Sequence, residues 1–330
     1  MSAVSSAVLL TVVMLVHGCS GPAQPINLKY KATGQSPEVL AVYEGWFGLP
    51  SHIAVGYNSH DPNTIRKQIQ KAKQMGISTF VVDWFGDREP YIDQTYATMQ
   101  SLASKNKFKV AMMYDEAKTE EGATDLVIAD FTMFHDTYLA SNAPGHQAYL
   151  TYQGRPVIFV FPYGGHTDWA KVRTAVNKWN PAPLLIQENR PGPHPEAFDG
   201  FYPWLNPGPQ GYAADGSSWG ENYLEDFYKN MAAKYTDSVI VGGAWPQMDD
   251  KKASWGLNRH ISARCGQTYN DTMNLWRKYF PADQVIPFML IETWNDYEEG
   301  SEIEPGIPTC AEQPKTAAGA VVTPIAARKP

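Results

Sequence analysis

The chain has 330 residues, of which 43% are hydrophobic, 18% charged and 12% aromatic, and its formal net charge is −7. That apolar share excludes a disordered or collagen-like chain, and the acidic balance leaves no basic field to attract nucleic acid or anionic lipid. Length allows two domains, but a single α/β barrel commonly runs to about 250 residues.

Residues 7–16, AVLLTVVMLV, hold nine apolar residues in ten. The run is too short to span a bilayer, which takes about 20 residues, and fits the core of a signal peptide. No Lys or Arg precedes it. Val16-His17-Gly18-Cys19 resembles a bacterial lipobox, with His17 where that pattern prefers a small residue. The expectation is a signal peptide over 1–19, ending at Cys19 as the point of lipid attachment or at an ordinary cleavage site, and a linker over 20–37. The protein is then secreted or held at the cell envelope, as a monomer, and touches a membrane only through a lipid on Cys19.

From residue 38 the pattern alternates. Apolar runs at Val39–Trp46, Ser78–Trp84, Lys107–Tyr114, Leu184–Gln187, Gly200–Trp204, Ser238–Trp245 and Val285–Thr293 read as strands. Ala148–Thr151 and Arg155–Phe161, around Gln153-Gly154, read as a hairpin that counts as one more. Helical periodicity fills Asn63–Met75, Ile92–Ser104, Gly122–Ala140, Asp168–Trp179, Tyr223–Tyr235 and Thr268–Phe280. Continuous apolar strands alternating with helices indicate a parallel sheet covered on its faces. The fold class expected is α/β: a single (β/α)8 TIM barrel over 38–307, with 308–330 as a loose tail.

Catalytic groups in such a barrel gather at the C-terminal ends of the strands. Those ends read Tyr43-Glu44-Gly45-Trp46, Asp83-Trp84, Tyr114-Asp115, Gln187-Glu188, Tyr202-Pro203-Trp204, Trp245 with Asp249, and Trp294-Asn295-Asp296-Tyr297-Glu298-Glu299. Singly, each Trp reads as core and each Asp as a helix cap. Together they make what a carbohydrate needs: acceptors for hydroxyls and flat faces for the C–H sides of sugar rings. Paired carboxylates also supply the acid and base of glycosidic cleavage.

Other chemistries lack their residues. The eight His show no metal-ligand spacing, and there is no nucleophile elbow, Walker loop or dinucleotide fingerprint. No metal or cofactor is expected. Three Cys make no disulfide framework; with Cys19 set aside, Cys265 and Cys310 remain, and sequence alone does not say that they meet.

Three segments resemble glycoside hydrolase families 99 and 71. They are Tyr57-Asn58-Ser59-His60-Asp61-Pro62 leading to Gly76–Trp84, then Tyr152-Gln153-Gly154-Arg155-Pro156-Val157, and most specifically Glu292–Pro305. The first family contains endo-acting α-mannosidases, the second fungal α-1,3-glucanases. In family 99 the third segment carries two Glu three residues apart; the matching positions are Asp296 and Glu299. The Asp is a departure from family 99, whereas Trp-Asn-Asp-Tyr is similar to the wording of family 71, so both families stay open.

The resemblance implies Glu299 as general acid and Asp296 as base, acting on water or on the sugar's own 2-hydroxyl. Residues i and i+3 converge in a turn, which favours 296 with 299; Glu298 is the alternative acid. Glu292 lies inside the strand, and if it points into the barrel it needs a hydrogen bond there or an Arg partner. Tyr43, Glu44, Trp46, Asp83, Trp84, Asp115, Glu188, Trp204, Trp245, Asp249, Trp294, Asn295 and Tyr297 are expected to bind substrate. The leading reading is an endo-acting glycoside hydrolase on α-mannan or α-glucan, whose partner is a poly- or oligosaccharide. A non-catalytic glycan-binding barrel is the alternative.

Overall fold

The computed structural model describes residues 36–116, 121–162, 165–189, 191–208, 211–213, 215–280 and 286–310. The expected signal peptide, nearly all of the linker and the tail beyond 310 lie outside the described residues. Among those described, no helix is long and apolar enough to cross a membrane.

Eight parallel strands close on themselves. They are β1 (Glu38–Tyr43), β2 (Thr79–Trp84), β3 (Lys109–Asp115), β4 (Arg155–Phe161), β5 (Leu184–Glu188), β6 (Gly200–Tyr202), β7 (Val239–Ala244) and β8 (Phe288–Ile291). Each pairs with the next, and β8 pairs with β1 in the register Glu38 with Phe288 and Ala41 with Ile291. The expected hairpin is present as Thr151–Tyr152 against the start of β4. A second two-stranded ribbon, Met248–Asp249 with His260–Ile261, stands above β7.

Among the described residues six α-helices pack outside: α1 (Pro62–Gln74), α2 (Pro90–Asn106), α3 (Ala123–Phe134), α4 (Trp169–Val176), α5 (Glu221–Lys234) and α6 (Gln267–Leu275). Between β5 and β6 the connection shortens to one turn, Pro195–Ala197. Sequence dictates these elements locally. Asp61 caps α1 by accepting from the Asn63 N–H, and Pro62 fills the first turn, where a missing N–H costs nothing. Ile65, Ile69 and Ala72, at helical spacing, are fully buried against the sheet, which stabilises by about 1.5–3 kcal/mol for each Ile. Gly76 follows with φ +82°, a left-handed turn that suits glycine.

Side chains alternate between the lumen and the helix layer along each strand. The lower lumen is closed by polar contacts: Ser78 donates to Glu38, and Lys109 Nζ lies 3.5 Å from the same carboxylate. Higher up, Gly243 leaves the space that Glu292 fills, since a Cβ there would stand 2.8 Å from Glu292 Oε1. Cys265 and Cys310 form a disulfide, tying the turn before α6 to the end of the described chain.

Candidate active site

A cavity of about 540 Å³ opens at the C-terminal end of the barrel. Among the carboxylates lining it are Glu44 after β1, Asp83 on β2, Asp115 on β3, and Asp296 with Glu299 after β8. Its aromatic walls are Trp46, Phe85, Phe161, Trp204 and Trp255. All five of these carboxylates, with Trp46 and Trp204, belong to the set expected from the sequence.

The segment after β8 is a tight turn built on Asp296. The Asp296 N–H donates to Thr293 Oγ1, and Asp296 Oδ1 accepts the N–H groups of Glu298 and Glu299, both at 2.9 Å. Those bonds fix the carboxylate while it lines the cavity. Glu299 turns the same way, its Oε1 accepting from the Trp255 indole N–H at 2.8 Å. Glu298 points elsewhere: its carboxylate accepts the Ile53 N–H and meets His52 Nδ1 at 2.8 Å. Of the two candidate acids, Glu299 is therefore the one beside Asp296 in the cleft.

Asn295 does not reach the cavity. Its side chain accepts the Glu44 N–H and donates to the Glu44 carbonyl, so it sets the backbone from which Glu44 projects. Tyr297 also turns away, donating to Glu304 and packing edge-on against Phe47.

Several expected sugar-stacking faces lie in the helix layer, and alternation explains it. Glu44 and Asp83 face the cleft, so their neighbours Tyr43 and Trp84 must face outward. Tyr43 donates to Gln68 of α1, and Trp84 donates to Asp93 of α2. Trp245 donates to the Trp219 carbonyl and is fully buried. Trp294, also fully buried, packs on Phe80. Asp249 sits on the ribbon beside the cleft, half exposed, and pairs with Lys251. Glu188 is level with Tyr202 on β6 and does not line this cavity.

Glu292 is fully buried without an Arg partner among the described residues; one oxygen accepts from the Leu205 N–H.

The lining also holds residues outside the expected set, Phe85, Phe161, His52 and Trp255 among them. Trp255 stands 44% exposed on the loop of the ribbon, edge-on to Trp46 at 6.2 Å. His52 stacks on Trp46 at 4.9 Å with the rings 15° apart. The available signal for Trp255 is a bulky aromatic in an otherwise polar loop, Lys251–Gly256.

The carboxylates hold their protons unusually well. Burial pushes Glu44, Asp83 and Asp296 well above the ordinary range, and neighbouring carboxylates push them further. Burial likewise raises Glu299, against the Trp255 bond and the Arg259 charge, which lower it. Asp115 is pushed up to about 7 by burial and by Glu116, and Glu188 to about 7 by burial.

The same barrel occurs in known proteins. An endo-α-mannosidase of glycoside hydrolase family 99 from Bacteroides thetaiotaomicron, solved with bis-tris propane, superposes with a TM-score of 0.62 at 20% identity, over 81% of this chain and 86% of that one. A glycoside hydrolase-like protein superposes at 0.61 with 14% identity, over 82% and 88%. The likeness is one of fold. No family model matches the chain, and no curated protein matches it in sequence. The single (β/α)8 barrel expected from the sequence is the architecture found, and it is shared with a family 99 enzyme.

Proposed function

We propose that this protein is a glycoside hydrolase that cleaves α-linked poly- or oligosaccharide within the chain, with Glu299 as general acid and Asp296 as base. The observation that carries it is the convergence of Asp296 and Glu299 on one aromatic-walled cleft at the strand ends. The roles follow the resemblance to family 99. The two backbone N–H groups on Asp296 Oδ1 favour its anion but work against burial and the neighbouring Glu299, which raise it, so the pH profile of each variant decides which carboxyl is the base. The anionic partner then takes a proton from water or from a sugar hydroxyl, while the protonated one delivers its proton to the leaving oxygen. The likeness in fold to an endo-α-mannosidase supports α-linked substrates, and the choice between mannan and glucan is left to assay.

The apolar run at 7–16 supports export, with the mature protein secreted or held at the envelope through Cys19. The Cys265–Cys310 bond suits an oxidising compartment.

The test is a screen of α-mannans and α-glucans with product analysis, repeated on Asp296→Asn and Glu299→Gln. Each variant is expected to lose on the order of 100- to 10,000-fold in rate. The native rate should follow a bell-shaped pH profile, and residual activity of Asp296→Asn should lack the acid limb. Full hydrolysis by either variant overturns the assignment. Binding without cleavage by the native protein would leave a glycan-binding barrel.

A further inference from the structure

We propose that the glycan taken by this cleft carries free amino groups, with an ammonium of the bound sugar held between Glu44 and Asp83. The proposal rests on the glycosidase reading and names its substrate class.

The strand register sets the geometry. Tyr43 pairs with Val82 across β1 and β2, so Glu44 and Asp83 stand level on neighbouring strands, both facing the cleft. Neighbouring strands run about 4.8 Å apart, and like charges directly across such a pair repel. Asp115 on β3 and Asp296 after β8 extend the row across four adjacent strands. Among the described residues none of these four carboxylates takes part in an ion pair. Glu44 is 3% exposed, and its Oε2 is buried with no hydrogen-bond partner. Glu89 adds another carboxylate to the lining, and the basic lining residue His52 is already engaged by Glu298.

A buried carboxylate without a partner is costly, and the cost falls when a donor or an opposite charge meets it. Neutral hydroxyls supply donors but do not offset the burial and mutual repulsion that make these carboxyls hold their protons, whereas a cation favours their ionised form. A metal ion needs several ligands around one point, and no three His, Cys, Asp or Glu side chains among the described residues are grouped that way. An ammonium brings three donors and one positive charge on a single atom, which suits two level carboxylates on adjacent strands. The pyranose ring that carries it would meet Trp46. Uronic, sulfated or phosphorylated sugars bring a negative charge for which the row offers no cation.

The experiment compares α-1,3- and α-1,4-linked glucosamine oligosaccharides, their N-acetylated forms and neutral gluco-oligosaccharides of equal length. Binding at pH 7 is measured calorimetrically on Glu299→Gln, and the native enzyme is offered the same compounds as substrates. The amine series is expected to bind at least about tenfold more tightly than the N-acetylated one. That ratio should shrink to under about threefold when Glu44→Gln or Asp83→Asn is added. Equal or tighter binding of acetylated or neutral ligands, or binding of none, overturns the proposal. The wild-type comparison of substrates decides if those variants fail to fold. Amine preference without any cleavage would sink the glycosidase reading alone; cleavage without amine preference would sink this inference alone.

Discussion

At the scale of single residues, the side chain with most leverage on the proposed chemistry, outside Asp296 and Glu299 themselves, is Trp255. Its indole N–H meets Glu299 Oε1, and its ring stands partly exposed at the mouth of the cleft. The bond stabilises the anion of Glu299, so removing it should raise that group's pKa by under about one unit. Trp255→Phe keeps a ring and loses the donor. Its basic limb in the pH–rate profile should therefore move upward while KM changes less than about threefold. Trp255→Ala also loses the stacking face, and KM should rise about tenfold. Steady-state kinetics across pH check both; an unmoved limb in the Phe variant would separate Trp255 from the acid. Asp296 raises a different question at this scale, because it is one methylene shorter than the glutamate of the family 99 pattern. A displacement of about 1 Å can cost on the order of 100-fold in rate. Here the amides of Glu298 and Glu299 fix Oδ1 in place, so Asp296→Glu tests whether the shorter reach limits the rate.

At the scale of elements, the ribbon from Met248 to Ile261 positions Trp255. Its loop is closed by Asp250, fully buried, which accepts the N–H groups of Leu257 and Arg259 and pairs with Arg259 Nε at 2.6 Å. Asp250→Ala leaves those donors and the guanidinium charge of Arg259 without an acceptor, a change worth about 3–5 kcal/mol when a pair is buried. Local proteolysis between 250 and 259 should accelerate, with KM rising as Trp255 loses its place; unchanged cleavage rates would show that the ribbon holds without Asp250. The disulfide acts on a longer piece of chain. It closes a loop of sequence separation 45, for which chain entropy gives about 4 kcal/mol. Cys265→Ser should lower the thermal midpoint to match the reduced native protein, and a midpoint equal to that of the oxidised protein would show the bond to be silent.

The elements also explain what the sequence could tell. Strand and helix identities were legible because apolar runs and helical periodicity repeat with regular spacing. The turn after β8 was legible through its wording, Trp294 to Glu299. Side-chain direction was not carried by the doublets Tyr43-Glu44 and Asp83-Trp84, since either member can face the lumen until the partner strand fixes the face. Trp245 and Trp294 misled for the same reason: a large aromatic at a strand end serves the helix layer as well as a cleft. The ribbon was invisible because its two strands have two residues each, too few for periodicity.

At the scale of the whole molecule, the cleft should leave its mark on stability. Asp115 and Glu188 have pKa values of about 7 when folded and ordinary carboxylate values when unfolded. Between those limits the folded state binds more protons, so the stability these two groups contribute falls as pH rises from about 4.5 to 7. Each group contributes up to about 1.4 kcal/mol per pH unit within its window. Thermal midpoints measured across that range should decline with pH, and Asp115→Asn should flatten the decline. A midpoint that climbs through the window would contradict the raised values.

The seam between β1 and β8 has a temporal consequence. Glu44 takes its position from Asn295, 251 residues further along the chain, and Asp296 and Glu299 follow immediately. Contacts of such sequence separation are slow to form because a long loop must close first. During synthesis, everything up to α6 can emerge before either Asp296 or Glu299 exists, and the cleft is finished only when the last strand docks on the first. On the proposed reading, the protein is born inert and becomes competent at the end of its own folding.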